Sequence, residues 1–225
     1  MVTPTQQTSR VGRVVILNGA PRSGKSSIVT AMQAMSDEPW MNLGVDVYMR
    51  ATPPSLLPGI GLRPGGERPD LEPFILTMYH AMYDAVIAHA RRGMNVIVDV
   101  GHHDNYSTSL GVLPAVACRL TAVPTLFVGV RCPIVVIMQR RDRGGRADGG
   151  VAGGYLTTGS GGEVPQAVVR WQRDVHDPGI YDLEVDTAVM TPDMCAQAVF
   201  ARLASGVPFD AIGRLAALAT GPQPR

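Results

Sequence analysis

The segment Gly19–Ser26 constrains the fold of this chain more than any other. It reads Gly-Ala-Pro-Arg-Ser-Gly-Lys-Ser, which fits the pattern G-x-x-x-x-G-K followed by Ser or Thr at every fixed position. The apolar run Val14–Leu17 precedes it and favours a buried strand, and residues 25–35 favour a helix. A glycine-rich turn between a strand and a helix directs backbone N–H groups at an anion. The sequence therefore predicts a phosphate-binding loop.

Each part of this loop has a physical task. Gly19 and Gly24 let the backbone bend, and the following helix adds the partial positive charge of its N-terminus. We expect Lys25 to reach the β- and γ-phosphates of a nucleotide, and the Ser26 hydroxyl to bind Mg²⁺. The predicted nucleotide-binding residues of the loop are Gly19, Ala20, Pro21, Arg22, Ser23, Gly24, Lys25, Ser26 and Ser27.

The basic residues of the chain support this interpretation. Of its 20 Lys and Arg residues, Lys25 is the only lysine. A compact ammonium and a planar guanidinium are not equivalent in a tight phosphate cradle. The same composition argues against a GTPase switch, because a guanine-reading N-K-x-D motif needs a second lysine. A chain of 225 residues is also too short for a motor with extra domains.

Strand-like and helix-like segments alternate along the rest of the chain. Further strands are predicted at Leu43–Val45, Val96–Val98, Thr125–Val130 and Leu183–Asp186. Helices are predicted from Leu71 to a stop at Gly93, at Pro133–Arg143, at Val164–Asp174, at 192–204 and after Ala211. This alternation indicates an α/β fold of three layers, with a parallel sheet flanked by helices.

The length fits one domain. We expect a flexible N-terminal tail over residues 1–12 and a single domain over 13–220. Pro and Gly crowd residues 52–69, which predicts a loop. Nine glycines between 144 and 162 are too many for a packed element and predict a mobile surface segment. We therefore expect a lid over 140–163.

Two carboxylates follow predicted strands. Asp46 comes directly after the second strand and Asp99 directly after the third. Ligands of open α/β sheets bind beyond the carboxyl ends of the strands. Asp46 is placed to accept or orient the proton of a hydroxyl substrate, although a helix cap or an exposed carboxylate is the alternative. Asp99 is placed to hold Mg²⁺ directly or through water, and a loop cap is the alternative.

Basic and histidine side chains complete the candidate site residues. The arginines beside the glycine-rich segment are Arg140, Arg141, Arg143 and Arg146. In a phosphate-binding protein, we expect one or two of them to meet the transferring phosphate from a lid, and the others to form a solvated helix face. His102, His103 and Asp104 follow Asp99. Adjacent histidines in a loop point in different directions, so substrate contact or solvation is favoured over metal binding.

Composition excludes several classes of protein. A net charge of +1 gives no field that would recruit nucleic acid or an anionic membrane. No apolar run is long enough for a membrane span, and the first ten residues lack a secretory signal, so a cytoplasmic location is expected. The widely spaced Cys118, Cys132 and Cys195 suggest reduced thiols rather than a disulfide framework or a metal site.

Taken together, these motifs resemble the chloramphenicol phosphotransferase-like family of P-loop kinases. The matching stretches are Ile16–Gly19 leading into Gly24–Ser26, Glu38–Trp40, Gly44–Asp46, Val96–Asp99, Val128–Cys132 and Tyr181–Thr187. The resemblance implies a P-loop kinase-like fold with a mobile lid, and ATP and Mg²⁺ as cofactors. It also implies that Asp46 is the catalytic base, that Lys25 and Arg140 act with it, and that Arg143 lies near the nucleotide.

The chain departs from the family where the acceptor should bind. Val100 stands where the family has a second acidic residue, and the segments 47–68 and 101–106 look different. We take 47–70 as the acceptor-site loop. The expected function is ATP-dependent phosphorylation of a hydroxyl of a small molecule, with chloramphenicol as the leading acceptor.

Several alternatives stay open at this point. The acceptor could be another hydroxylated natural product or a nucleoside-like metabolite, and the chain could be a nucleotide-binding module without catalysis. Antibiotic resistance, self-protection of a producing organism and biosynthesis are all compatible roles. A homo-oligomer is compatible with this fold class, and nucleic acid and membranes are not expected partners.

Overall fold

The computed structural model describes residues 10–62, 68–144 and 162–220. In these residues a five-stranded parallel sheet with the strand order β2-β3-β1-β4-β5 lies between helices. The strands are β1 Val14–Asn18, β2 Trp40–Asn42, β3 Asn95–Val100, β4 Thr125–Arg131 and β5 Leu183–Asp186. The α-helices are α1 Lys25–Met35, α2 Val45–Ala51, α3 Glu72–Arg91, α4 Val112–Leu120, α5 Ile134–Gly144, α6 Gln166–Asp174, α7 Pro192–Ala204 and α8 Ala211–Thr220. The predicted α/β class is confirmed.

The central strand β1 shows why helices cover both faces of the sheet. All five of its residues are buried. Val14 and Ile16 belong to an apolar cluster with residues of α3, α4 and α8. Val15 and Leu17 belong to a second cluster with residues of α1 and α7. Because side chains alternate between the two faces along a strand, an uninterrupted apolar strand needs a helical layer on each side.

The prediction of a second strand at Leu43–Val45 is wrong. The strand lies earlier, at Trp40–Asn42, where it pairs with the first half of β3. Gly44 (φ −74°, ψ 177°) leads directly into α2, so Val45 begins a helix. Asp46 consequently lies in the first turn of a helix and not at the end of a strand. Pairing with β3 decides this boundary, and such pairing is a long-range contact that local β-propensity does not reveal.

The remaining elements agree with the sequence within a few residues, with two additions. β5 and α7 have the predicted bounds. The sequence analysis missed α4. The residue before this helix, Gly111, has a left-handed backbone conformation (φ 60°), and no side chain caps the helix start and could have marked it. The predicted loop 52–69 contains short 3-10 turns at Pro54–Leu56, Gly59–Gly61 and Pro69–Leu71.

The end of the predicted N-terminal tail is packed rather than loose. The backbone N–H of Gly12 donates to the carbonyl of Ala90 at 2.8 Å. A Cβ at Gly12 would lie 2.1 Å from the carbonyl oxygen of Met94, so the chain passes here in close backbone contact. Residues 1–9 lie outside the described residues. So does the 145–161 part of the predicted lid, with Arg146, and so do positions 63–67 of the acceptor-site loop.

Two general features of the described residues bear on function. No helix in the described ranges is long and apolar enough to cross a membrane. All three cysteines are free, with Cys132 and Cys195 buried and Cys118 exposed.

Asp182 joins the sheet to the last helix. Its carboxylate accepts hydrogen bonds from the backbone N–H groups of Phe127 at 3.0 Å, Asp210 at 2.8 Å and Ala211 at 3.1 Å. One side chain therefore satisfies a donor of β4 and two donors at the start of α8.

Replacing Asp182 should destabilise the fold. Asp182→Ala leaves these three N–H groups without their acceptor, and we expect the free energy of unfolding to fall by about 2–3 kcal/mol. Urea denaturation followed by circular dichroism measures this change. Asp37→Ala removes an exposed carboxylate in the turn before β2 and should change stability by less than about 0.5 kcal/mol. Equal losses in the two variants would contradict the bridging role.

Candidate active site

The phosphate loop begins where β1 ends, in the middle of the sheet. β1 has β3 on one side and β4 on the other, and ligands of parallel sheets bind at such a point beyond the carboxyl ends of the strands. A Cβ at Gly19 would lie 2.6 Å from the carbonyl oxygen of Val130, so only glycine fits there. Gly24 is left-handed (φ 97°) and caps α1, which starts at Lys25. The loop thus has the predicted position between strand and helix.

Lys25 lies across its own loop. Its Nζ donates to the carbonyl oxygens of Gly19 at 2.8 Å and Ala20 at 2.9 Å. Desolvation lowers the pKa of the ammonium to about 8, while the negative charges of Asp99 and Asp46 oppose this shift. An anionic phosphate arriving at the loop would favour the charged form of Lys25.

Ser26 and Asp99 meet as a hydroxyl–carboxylate pair. The Oγ of Ser26 donates to Oδ2 of Asp99 at 2.9 Å. The other carboxylate oxygen, Oδ1, is buried and has no hydrogen-bond partner among the described residues. A Cβ at Gly44 would lie 1.8 Å from that oxygen, so the glycine makes room for it. Mg²⁺ is typically held by one or two protein oxygens together with water and phosphate. This pair fits that requirement.

Asp46 faces the same cleft from the first turn of α2. Its side chain is exposed and lines the cleft. Its charge acts on Lys25. The structure therefore brings Asp46, Lys25 and Ser26 to one cleft, although the element that carries Asp46 differs from the predicted one.

The cleft has a volume of about 800 Å³, which suits a nucleotide-sized ligand. The residues that line it are Arg22, Gly24, Lys25, Ser26, Ser27, Ile28, Asp46, Arg140, Arg143, Thr187, Met190 and Pro192. The sequence analysis missed the wall formed by Thr187, Met190 and Pro192. The stretch Tyr181–Thr187, which carries part of the family resemblance, ends at this wall and was the available signal.

Arg140 is held against the phosphate loop by protein acceptors. Its Nη1 lies 3.2 Å from the carbonyl oxygen of Arg22 and 3.1 Å from Oγ1 of Thr187, and its Nη2 lies 2.8 Å from the carbonyl oxygen of Thr187. Arg143 follows about one turn later on α5, with its side chain exposed on the cleft wall. Both arginines thus lie at the nucleotide cleft, and contact with a transferring phosphoryl group stays a prediction.

The comparisons with known proteins agree with this arrangement. The family model described as "Chloramphenicol phosphotransferase-like protein" matches residues 12–204. The chain belongs to this family. It is 33% identical over 102 residues to a Mycobacterium tuberculosis protein named "Putative O-phosphotransferase", an alignment that covers 39% of this chain and 45% of that protein. The chain thus spans about half the length of the curated relatives it matches.

Solved structures show that this family member has the P-loop kinase fold. It is similar to the APS kinase of Mycobacterium tuberculosis in complex with AMPPNP and APS, with 20% identity and a TM-score of 0.52, over 85% of this chain and 97% of that one. It is also similar to the shikimate kinase of Acinetobacter baumannii in complex with shikimate, with 12% identity and a TM-score of 0.51, over 88% and 95% of the two chains.

The adjacent histidines lie in the interior, and neither lines the cleft. Nε2 of His102 is 2.7 Å from the Tyr83 hydroxyl, and Nε2 of His103 donates to the carbonyl oxygen of Leu62 at 3.0 Å. Burial lowers the pKa of His102 to about 3 and also lowers the pKa of His103. Both rings are therefore neutral at physiological pH.

The depressed pKa of Lys25 predicts pH-dependent nucleotide binding. Above pH 8 the free protein loses the ammonium proton, and bound phosphates must recover it, so ATP affinity should fall by up to about tenfold per pH unit. Calorimetry at about pH 9 in buffers of different ionisation enthalpy should detect proton uptake. Lys25→Arg keeps its charge over this range, so any ATP that this variant still binds should be bound without proton uptake. Affinity of the unaltered protein that does not change with pH would contradict the assignment.

Proposed function

We propose that this protein is an ATP-dependent O-phosphotransferase that phosphorylates a hydroxyl of a small molecule. Chloramphenicol is the leading acceptor, and another hydroxylated natural product or a nucleoside is the alternative. The observation that carries the proposal is the position of Asp46, an exposed carboxylate whose charge acts on the phosphate-loop lysine. A nucleotide-binding module without catalysis would not need a carboxylate at this position.

The transfer requires a base, a phosphate cradle and positive charge. In the proposed reaction the acceptor oxygen attacks the γ-phosphorus of ATP, and the bond to the bridging oxygen breaks to leave ADP. Asp46 accepts the proton from the acceptor hydroxyl. Lys25 and the backbone N–H groups of the loop stabilise the negative charge on the phosphoryl oxygens. Arg140 and Arg143 add positive charge along the cleft wall, Arg140 from a guanidinium fixed by Thr187.

The residues for Mg²⁺ are Ser26 and Asp99. The Ser26 hydroxyl and the Asp99 carboxylate, which lie 2.9 Å apart, would supply oxygen ligands, which this ion prefers. The buried Oδ1 of Asp99 has no hydrogen-bond partner among the described residues. When bound, Mg²⁺ neutralises the charge of the phosphate oxygens. Ser26 and Asp99 would hold the ion.

Product analysis tests the proposed reaction. The protein is incubated with ATP, Mg²⁺ and chloramphenicol, and in parallel with other hydroxylated antibiotics and with nucleosides. Mass spectrometry should show the mass of one phosphoryl group added to an acceptor, together with an equal amount of ADP. If the protein binds ATP but no compound receives a phosphoryl group, and no ATP is consumed, the proposed function is overturned.

Asp46→Asn should separate binding from transfer. The amide cannot accept the hydroxyl proton, so kcat should fall by about 10²–10⁴-fold, while calorimetry should show ATP affinity within about threefold of the unaltered protein. Asp193→Asn is a matched control, because Asp193 is also the second residue of a helix and is also exposed. Normal turnover of Asp46→Asn would refute the assigned role.

A further inference from the structure

A cluster of aromatic and histidine side chains lies next to the loop that follows β3. It consists of Tyr79, Tyr83, His102, His103, Tyr106 and Trp171, and is called the aromatic cluster below. The ring centroids of Tyr79 and His102 are 4.9 Å apart, those of His103 and Tyr106 are 4.5 Å apart, and those of His103 and Trp171 are 5.7 Å apart. No member of the aromatic cluster is among the residues that line the nucleotide cleft.

Three polar atoms of the aromatic cluster are buried without a partner. They are Nδ1 of His102, the hydroxyl of Tyr106 and Nε1 of Trp171, none of which has a hydrogen bond within the described ranges. His102 is 1% exposed and Tyr106 is 9% exposed. Buried polar atoms nearly always have a partner, so several orphans in one cluster point to a ligand that completes them.

One member of the aromatic cluster, Trp171, lies near the start of the phosphate loop. A Cβ at Gly101 would lie 3.0 Å from the carbonyl oxygen of Gly19 and 3.4 Å from Nε1 of Trp171. The same carbonyl oxygen accepts the hydrogen bond from Nζ of Lys25 at 2.8 Å. The indole N–H of Trp171 therefore lies near the backbone of Gly19, whose carbonyl oxygen accepts the hydrogen bond from Lys25.

Three carboxylates lie around the aromatic cluster, and one of them, Asp174, is paired with Arg173 at 2.6 Å. Among the described residues, Asp104 and Glu72 act on the Tyr106 hydroxyl, and Asp104 and Asp174 act on His103. His102 and His103 are themselves neutral. An anionic group bound beside the Tyr106 hydroxyl would meet the carboxylates of Asp104 and Glu72.

The segment 102–107, which carries two of these three atoms, is anchored to its surroundings. The backbone N–H of His102 donates to Oδ1 of Asn18 at 2.8 Å, and the backbone N–H of Ser107 donates to the Glu72 carboxylate at 3.0 Å. Nδ2 of Asn105 donates to Asp174 at 2.6 Å. These three hydrogen bonds preorganise the segment 102–107 for a ligand.

We propose that Nδ1 of His102, the Tyr106 hydroxyl and the Trp171 indole N–H form the hydrogen-bonding part of the acceptor site and select an uncharged acceptor. The inference rests on the proposed function and names the residues that determine which hydroxyl compound is used. The indole supplies a donor only, whereas the phenol can donate and accept. Hydroxyl and amide groups of a neutral acceptor fit this set.

A panel of acceptors tests the charge selectivity. The uncharged compounds are chloramphenicol and thymidine, and the anionic ones are shikimate and APS, the compounds bound in the two similar kinase structures. Product mass after incubation with ATP and Mg²⁺ should show transfer to an uncharged compound and not to shikimate or APS. Transfer to either anionic compound at a comparable kcat/KM would overturn the selectivity.

Tyr106→Phe tests the orphan hydroxyl itself. With the acceptor used by the unaltered protein, KM for the acceptor should rise about tenfold while KM for ATP stays the same. The urea midpoint should not fall, because the hydroxyl has no partner to lose. Tyr83→Phe is the control for stability, since that hydroxyl is bonded to His102 and its loss should lower the midpoint. If the urea midpoint falls as much in Tyr106→Phe as in Tyr83→Phe, the Tyr106 hydroxyl has a hydrogen-bond partner inside the protein, and the assignment is overturned.

Trp171→Phe keeps an aromatic ring and removes the N–H. It should raise KM for the acceptor and leave KM for ATP unchanged. Trp40→Phe is its control, because the indole N–H of Trp40 already donates to Ser36 at the far side of the sheet. Product formation with unchanged acceptor KM in both Tyr106→Phe and Trp171→Phe would overturn this inference alone. An unaltered protein that phosphorylates no compound would overturn the proposed function, and this inference with it.

Discussion

The side-chain amide of Asn18 joins the segments that surround the phosphate loop. Asn18 is the last residue of β1 and is 1% exposed. Its Oδ1 accepts from the backbone N–H of His102 at 2.8 Å, and its Nδ2 donates to the carbonyl oxygen of Val175 at 2.7 Å and the Tyr181 hydroxyl at 3.0 Å. Because both ends of a buried amide are used, displacement of either segment would leave a polar group unsatisfied. The start of the phosphate loop is thereby fixed to both neighbouring segments.

A second polar side chain, that of Thr187, holds the same loop from the side of the cleft. Oγ1 of Thr187 donates to the carbonyl oxygen of Ser23 at 2.7 Å and lies 3.1 Å from Nη1 of Arg140. Asn18 and Thr187 thus hold the loop at its start and in its turn. In the proposed reaction, a loop fixed at both points would meet the phosphates with little rearrangement, and such preorganisation is the main source of stabilisation in phosphoryl transfer.

Local patterns predicted the parts of this site that depend on local structure. The strand before the loop, the helix after it, and Lys25 and Ser26 at the start of that helix all follow from a short segment. The meeting of Ser26 with Asp99 also followed, because carboxyl ends of parallel strands share one edge of the sheet. The partners of Arg140 and the contact that requires Gly44 could not be predicted, since both join residues far apart in the sequence. Asp46 lines the cleft, but the sequence placed it on the wrong element, because the β-branched Val45 favours a strand until pairing with β3 is known.

The two sides of the loop are constrained differently. Asn18 contacts the backbone at His102 and Val175, and not the side chain of His102. The side chain at position 102 can therefore change without breaking the link that fixes the phosphate loop. Thr187 and Arg140, in contrast, hold the side of the cleft that they line through their own side chains. If the proposed acceptor site is correct, substitutions at position 102 would alter selectivity while the nucleotide cleft keeps its geometry. This difference explains physically how side chains of the segment 101–106 can change while the phosphate loop keeps its position.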